Sequence, residues 1–209
     1  PIVSEYRGYK ITSVPPPSSG GMAITGMLRM LDALNWHDQS GAMKTHLLVE
    51  VMRRAYRDRA LYLGDSDFVE VPVARLTSRA YAQQLSADIK LDKATSSNEL
   101  PGIDDQPKGN HTTHLSIIDR DGNRVSATLS INYPFGSGFV PPGTGVLLND
   151  EMDDFSAKPG TPNAYGLVGA EANAIAPGKR MLSSMSPTFI ESEDKLAIIG
   201  TPGGSRIIT

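Results

Sequence analysis

Between residues 22 and 34, Ile24, Met27, Leu28, Leu31 and Leu34 recur at the spacing of one helix face, with Arg29 and Asp32 lying off it. Just upstream, Pro15-Pro16-Pro17-Ser18-Ser19-Gly20-Gly21 is a stiff-then-flexible junction that helix formation cannot cross, so the helix starts after it, and the glycines let that start pack close to a neighbour. A second helix is predicted over about 41–62, with Met43, Leu47, Val51 and Ala55 on one side. Lys44, Arg53, Arg54, Arg57 and Arg59 fall largely on the other, which reads as a solvated face. Gly64-Asp65 ends it, and Leu76-Thr77 opens a third helix, with Thr77 as N-cap and Leu76 stapled to Tyr81.

Residues 94–110 turn to Ser, Asn, Gly, Pro, Asp and Lys without periodicity, which reads as an exposed or mobile segment and the clearest boundary in the chain. Alternation then takes over. Leu115–Ile118 reads as a strand, Asp121-Gly122 as a hairpin turn, and Val125, Ala127, Leu129 and Ile131 alternate with Ser126, Thr128, Ser130 and Asn132. Folding about Asp121-Gly122 pairs residues whose numbers sum to about 243 or 244, which sets Ser130 to Asn132 opposite Thr112 and Thr113. Pattern alone favours a solvent-facing polar side; the other reading is a hydroxyl and an amide converging on Thr112. Residues 6–13 alternate weakly, and Leu196–Ile199 reads as a buried strand.

Composition narrows the chemistry. With 209 residues, 39% hydrophobic and 21% charged, the chain can bury a sizeable core. A net charge of -3 and a pI of about 5.8 give no general attraction to nucleic acid or an anionic membrane. Absence of cysteine excludes disulfides, a thiol nucleophile and Cys-based metal sites. No apolar run reaches the ~18 residues of a spanning helix, and no signal-peptide pattern opens the chain. Both ends read as cut from something larger: Pro1-Ile2-Val3 has no cap, and Arg206-Ile207-Ile208-Thr209 stops within a β-branched run.

Four stretches carry candidate chemistry. Gly109-Asn110-His111-Thr112-Thr113-His114-Leu115-Ser116 sets two threonines between histidines at the head of a strand; the histidines lack Cys or clustered carboxylate partners at a metal-ligand spacing. Asp150, Glu151, Asp153 and Asp154 cannot all enter one core, so they form a solvated or calcium-binding loop or else receive an ammonium group. Ser183-Ser184-Met185-Ser186-Pro187 is a cluster of hydroxyls in a turn. Thr201-Pro202-Gly203-Gly204-Ser205-Arg206 is either a tight turn or a place where glycine amides approach an oxyanion, and it lacks the Gly-Lys-Ser/Thr ending of a phosphate loop.

In this order, the Pro15–Gly21 run, Thr112-Thr113-His114, Gly122-Asn123, Asn149–Phe155, Ser183–Pro187 and Pro202–Arg206 resemble the γ-glutamyltranspeptidase family across nearly the whole chain. The resemblance implies an α/β fold, the αββα sandwich of N-terminal-nucleophile hydrolases, with both ends truncated. It implies residues 1–111 as the mainly helical end of a large subunit and 112–209 as the β-rich, catalytic start of a small one. One precursor would cleave itself at His111-Thr112 to yield a heterodimer, without cofactor or metal.

By the same resemblance Thr112 is the nucleophile, Ser130 touches it, and the amides of Gly203 and Gly204 hold the oxyanion. Asn132, Glu151 and Asp154 take the substrate α-ammonium, and Ser183 and Ser184 the α-carboxylate, helped by an upstream arginine outside this chain. Tyr165 gates the site from a lid spanning 154–169. Only a terminal Thr112 has an α-amine, with a pKa near ~8, to serve as its base. Two positions depart from common family usage: Glu151, where many bacterial members have glutamine, and Ser130, where threonine is usual, which loses the methyl that stiffens the rotamer. The implied activity is γ-glutamyl transfer from glutathione to water or an amine, in the periplasm or outside the cell. Alternatives are a cephalosporin acylase, a polyglutamate capsule transpeptidase, or an unprocessed member that only binds ligand.

Overall fold

The computed structural model describes residues 1–100, 112–161, 169–204 and 207–209. Strands β1 (Ile2–Tyr6) and β2 (Tyr9–Ser13) form a hairpin, and β2 then pairs with β5 (Thr188–Glu191), which pairs with β6 (Leu196–Ile199). All pairings are antiparallel, with Lys10 opposite Glu191 and Ser13 opposite Thr188. Segments from both ends of the chain thus share one four-stranded sheet. A second, two-stranded sheet joins β3 (Thr112–Ile118) to β4 (Arg124–Ser130).

The helical layer comprises α1 (Gly20–Ala33), α2 (Gly41–Tyr62), the single turn α3 (Val73–Leu76) and α4 (Arg79–Ser86). Its core gathers Met22, Met27, Met30 and Leu31 of α1 with Leu47, Val51 and Ala55 of α2, and Tyr81, Ala82 and Leu85 of α4. The start of α1 lies against β1 and β2 so closely that a Cβ on Gly21 would sit 2.4 Å from the Val14 carbonyl oxygen.

The predicted helices are present, but α1 begins at Gly20, inside the run after which the sequence predicts its start, and side chains correct the picture further. Arg54 and Arg59 are not on a solvated face: they are 0% and 6% exposed. Arg54 is paired with Glu50 at 2.5 Å and Asp88 at 2.8 Å, and donates to the Leu85 carbonyl. Burial raises the Glu50 carboxyl, but the Thr95 hydroxyl and amide and then Arg54 outweigh it and bring the group down to about 2. Such a face is stable inside because Arg54 meets Glu50 one turn back on α2 and also Asp88 and the Leu85 carbonyl from beyond it, partners that helical periodicity cannot reveal. Thr77 does not cap the third helix; Ser78 does, its hydroxyl accepting from the Tyr81 amide at 3.1 Å, and Thr77 donates back to the Val73 carbonyl. Strand β6 is only half-buried, with Ile199 47% exposed.

The β3–β4 register is tighter than predicted: Thr112 faces Ser130, Thr113 faces Leu129 and His114 faces Thr128. The Gly122 amide donates to the Asp119 carbonyl, and Gly122 takes φ +83°, so the loop is centred on Asp121 and not on the Asp121-Gly122 bond. The polar face of this hairpin turns inward. Ser116 and Ser126 hydroxyls donate to the Ile198 and Ile199 carbonyls of β6, and the His114 ring lies on Gly200. Leu115, Ile117, Val125 and Leu129 are exposed on the opposite face. The described layers run helices, sheet, sheet; in an αββα sandwich that outer apolar face carries the second helical layer.

Candidate active site

Strand β3 begins at Thr112, whose Oγ1 donates to Ser130 Oγ at 3.2 Å across the pair. Ser130 Oγ also accepts the Asn132 amide at 3.0 Å, a contact permitted by the left-handed φ of +70° at Asn132. Asn132 is buried, and its side-chain amide donates to the Asp150 carbonyl at 3.3 Å, tying the end of β4 to the acidic segment.

That segment forms a 3₁₀ turn, Glu151–Asp154, in which the four carboxylates divide by partner. Asp150 accepts the Tyr133 amide at 3.1 Å and Asp153 the Tyr133 phenol at 2.8 Å. Glu151 and Asp154 instead line a pocket with Thr112, Ser130, Asn132, Ser183, Ser184, Met185, Gly204 and Ile207. Burial, then the neighbouring Asp154 carboxylate and its hydrogen bond, then Asp150, push the Glu151 carboxyl up to about 7, against a weaker downward pull from Ser130. Among the described residues, Glu151 Oε1 and Ser184 Oγ are buried in the pocket wall with no hydrogen-bond partner.

Ser183 and Ser184 are placed from below by the proline–serine run. Ser183 donates its amide to the Pro17 carbonyl at 2.9 Å, the Ser19 amide returns to the Ser183 carbonyl at 2.9 Å, and Ser18 Oγ donates to the Met185 carbonyl at 2.7 Å. Gly20 must be glycine here, since a Cβ would fall 2.2 Å from Ser186 Oγ. At the other side of the pocket Gly203 and Gly204 adopt φ +142° and +71°, conformations that expose backbone amides at little steric cost.

Nine of the predicted site residues therefore gather: Thr112, Ser130, Asn132, Glu151, Asp154, Ser183, Ser184 and Gly204 line the pocket, with Gly203 beside it. His111 and Tyr165 lie outside the described residues. Sequence reasoning missed Asn173, buried, which donates to the Asp154 carbonyl at 2.7 Å and accepts the Leu182 amide at 3.0 Å, so that it joins the acidic turn to the serine segment. It also missed Asp65, which accepts the backbone and guanidinium of Arg180 and so anchors the same segment. No local pattern marks either residue, because each acts across more than a turn of unrelated chain.

Two sheets facing each other through hydroxyls, with a helical layer behind one of them, are the part of an αββα sandwich that this chain contributes, the fold class of N-terminal-nucleophile hydrolases. A sequence model described as Gamma-glutamyltranspeptidase matches residues 1–209, and the chain belongs to that family. It is 50% identical over 216 residues to the glutathione hydrolase proenzyme of Pseudomonas sp. (strain A14), covering 100% of this chain and 37% of the relative. The protein of the same name in Escherichia coli (strain K12) is 48% identical over 213 residues, again with 100% and 37% covered. Among solved structures, the cephalosporin acylase from Bacillus halodurans superposes with a TM-score of 0.70 at 27% identity, over 93% of this chain and 32% of that one. The chain thus spans 37% of the length of the two curated relatives.

Proposed function

We propose that this chain is the catalytic junction of a γ-glutamyltransferase and glutathione hydrolase, residues 1–111 closing the large subunit and 112–209 opening the small one. The carrying observation is the pair of buried, unpartnered polar atoms, Glu151 Oε1 and Ser184 Oγ, in the pocket that Thr112 lines. A carboxylate oxygen and a hydroxyl left without partners are an unpaid desolvation cost unless a ligand supplies a cation to one and an anion to the other. An α-amino acid head does both.

In this reading Thr112 Oγ1 first attacks the His111 carbonyl carbon, the acyl group passes from nitrogen to oxygen and so frees the Thr112 α-amine, and water then hydrolyses the ester to release the Oγ1 hydroxyl and the His111 carboxylate. That amine, with a pKa of about 8, then takes the hydroxyl proton as Oγ1 attacks the γ-carbonyl of the substrate. Gly203 and Gly204 amides hold the tetrahedral oxyanion. Collapse returns the proton to the leaving amine, and water or a second amine resolves the acyl-enzyme. Ser130 orients the nucleophile. Asn132, Glu151 and Asp154 hold the ammonium, Ser183 and Ser184 the carboxylate with an upstream arginine, and Tyr165 gates the opening. Binding partners are therefore a γ-glutamyl donor such as glutathione, an acceptor amine and the remaining parts of both subunits. A periplasmic or extracellular location follows from the family reading; among the described residues no helix is long and apolar enough to cross a membrane.

The likeness to a cephalosporin acylase structure favours one second reading, the same machinery acting on a glutaryl group. Denaturing electrophoresis with N-terminal sequencing tests the common step: two bands, one beginning Thr112-Thr113-His114, are expected, and a single uncut band sinks both readings in favour of a binding-only member. Hydrolysis of a chromogenic γ-glutamyl anilide in preference to its glutaryl counterpart then supports the first; the reverse preference supports the second.

A further inference from the structure

Arg59 sits on α2, on the far side of the pocket wall from the substrate. Its Nε donates to Ser19 Oγ at 3.2 Å, and Ser19 is 0% exposed. Ser19 Oγ in turn donates to the Ser183 carbonyl at 2.8 Å. A guanidinium has no acceptor, so its approach forces the single hydroxyl proton of Ser19 toward Ser183 and removes the rotational freedom a serine otherwise keeps. Ser183 is therefore gripped at its carbonyl by both the hydroxyl and the amide of Ser19, and at its amide by Pro17. Burial lowers the Arg59 pKa, while Tyr56 and Asp154 oppose the loss of its charge. Asp154 lines the opposite, ammonium-binding part of the same pocket.

From this geometry we infer that Arg59 is a positioning residue for specificity: acting through Ser19, it fixes Ser183 and Ser184 where the substrate α-carboxylate arrives. The inference rests on the γ-glutamyl reading above and adds to it a residue that touches no substrate. A buried charged group is poorly used as a general stabiliser, since an apolar side chain of similar volume often serves as well. Its retention here is explained by the fixed hydroxyl it produces.

The test uses the full-length protein with Ser19→Ala, Ser19→Thr, Arg59→Met and the double variant Ser19→Ala/Arg59→Met. Kinetics are compared on a γ-glutamyl anilide and on a 4-aminobutyryl anilide, which lacks the α-carboxylate, using only chains whose small subunit begins at Thr112. Ser19→Ala is expected to raise KM for the γ-glutamyl substrate about tenfold, the loss of one well-placed hydrogen bond. Its kcat should stay within about threefold, and KM for the 4-aminobutyryl substrate should not move. Ser19→Thr should restore the wild-type KM, and Arg59→Met should add little in the Ser19→Ala background. Equal KM increases on both anilides, or an unchanged γ-glutamyl KM in Ser19→Ala, overturn the inference. Arg59→Met alone should raise the γ-glutamyl KM as Ser19→Ala does without moving the 4-aminobutyryl KM, and an unchanged γ-glutamyl KM overturns the inference; should it not fold, Arg59→Lys, which keeps the charge but not the Nε donor to Ser19, is read in the same way. A wild-type protein inactive on the γ-glutamyl anilide is a separate result: it overturns the functional reading, and this inference falls with it.

Discussion

Glu151 shows how one side chain couples pocket geometry to pH. Its carboxyl, lifted from 4.5 to about 7 by burial and by Asp154, is partly protonated near neutrality, whereas an incoming ammonium is best met by the ionised form. KM for a γ-glutamyl anilide is therefore expected to fall as pH rises from about 6 to about 8, and Glu151→Gln should flatten that segment of the profile. A KM independent of pH over this range in the unaltered protein would rule the coupling out. For stability the sign is opposite: because the folded pKa is raised, this group's contribution is complete below the ordinary value of 4.5 and is lost as pH rises through about 7. The acidic run was visible in the sequence, but its division of labour was not, since Tyr133 is what diverts Asp150 and Asp153 from the pocket. Arg59 was misread for a similar reason: the spacing of α2 gives its direction, while its partner lies forty positions away at Ser19.

At the level of elements, the β3–β4 hairpin decides whether hydroxyls or aliphatic side chains face β6. Its location and turn residues could be read from alternation and Asp121-Gly122, but its register could not, because the loop length depends on which residue takes the left-handed conformation. Gly122 takes that role with φ +83°, and no neighbouring atom lies within 4 Å of where a Cβ would stand, so Gly122→Ala meets backbone strain and not a clash. The expected cost is about 1–2 kcal/mol. It should show as a lower denaturation midpoint with site chemistry retained if the register holds. A slip by one residue would instead put Thr112 and Ser130 on opposite faces of the hairpin, separating the two hydroxyls and abolishing cleavage at residue 112 while leaving a folded protein. Wild-type stability in Gly122→Ala would show that another residue closes the turn.

At the scale of the molecule, the proposed scission falls between segments that are already woven together. Strand β2 pairs with β5 through four residue pairs, Lys10 to Glu191 through Ser13 to Thr188, and the Ser18–Ser183 bridge continues the contact toward the pocket. Asp65, 0% exposed, receives Arg180 at 2.6 Å through its guanidinium and at 2.9 Å through its backbone amide. Cutting one peptide bond removes none of these, so the mature protein is expected to elute as a single species in native gel filtration although it runs as two bands under denaturing conditions. Arg180→Ala tests how much one cross-link matters. It leaves the Asp65 carboxylate with only backbone donors, which destabilises the contact. The physical consequence differs before and after scission: an uncut chain keeps the segments at high effective concentration, whereas two chains can separate. Arg180→Ala should therefore lower the urea concentration at which the cut protein dissociates, and a cleavage-blocked Thr112→Ala background should mask most of that loss. Equal sensitivity in both backgrounds would mean that Asp65–Arg180 stabilises the local loop and not the union of the two pieces.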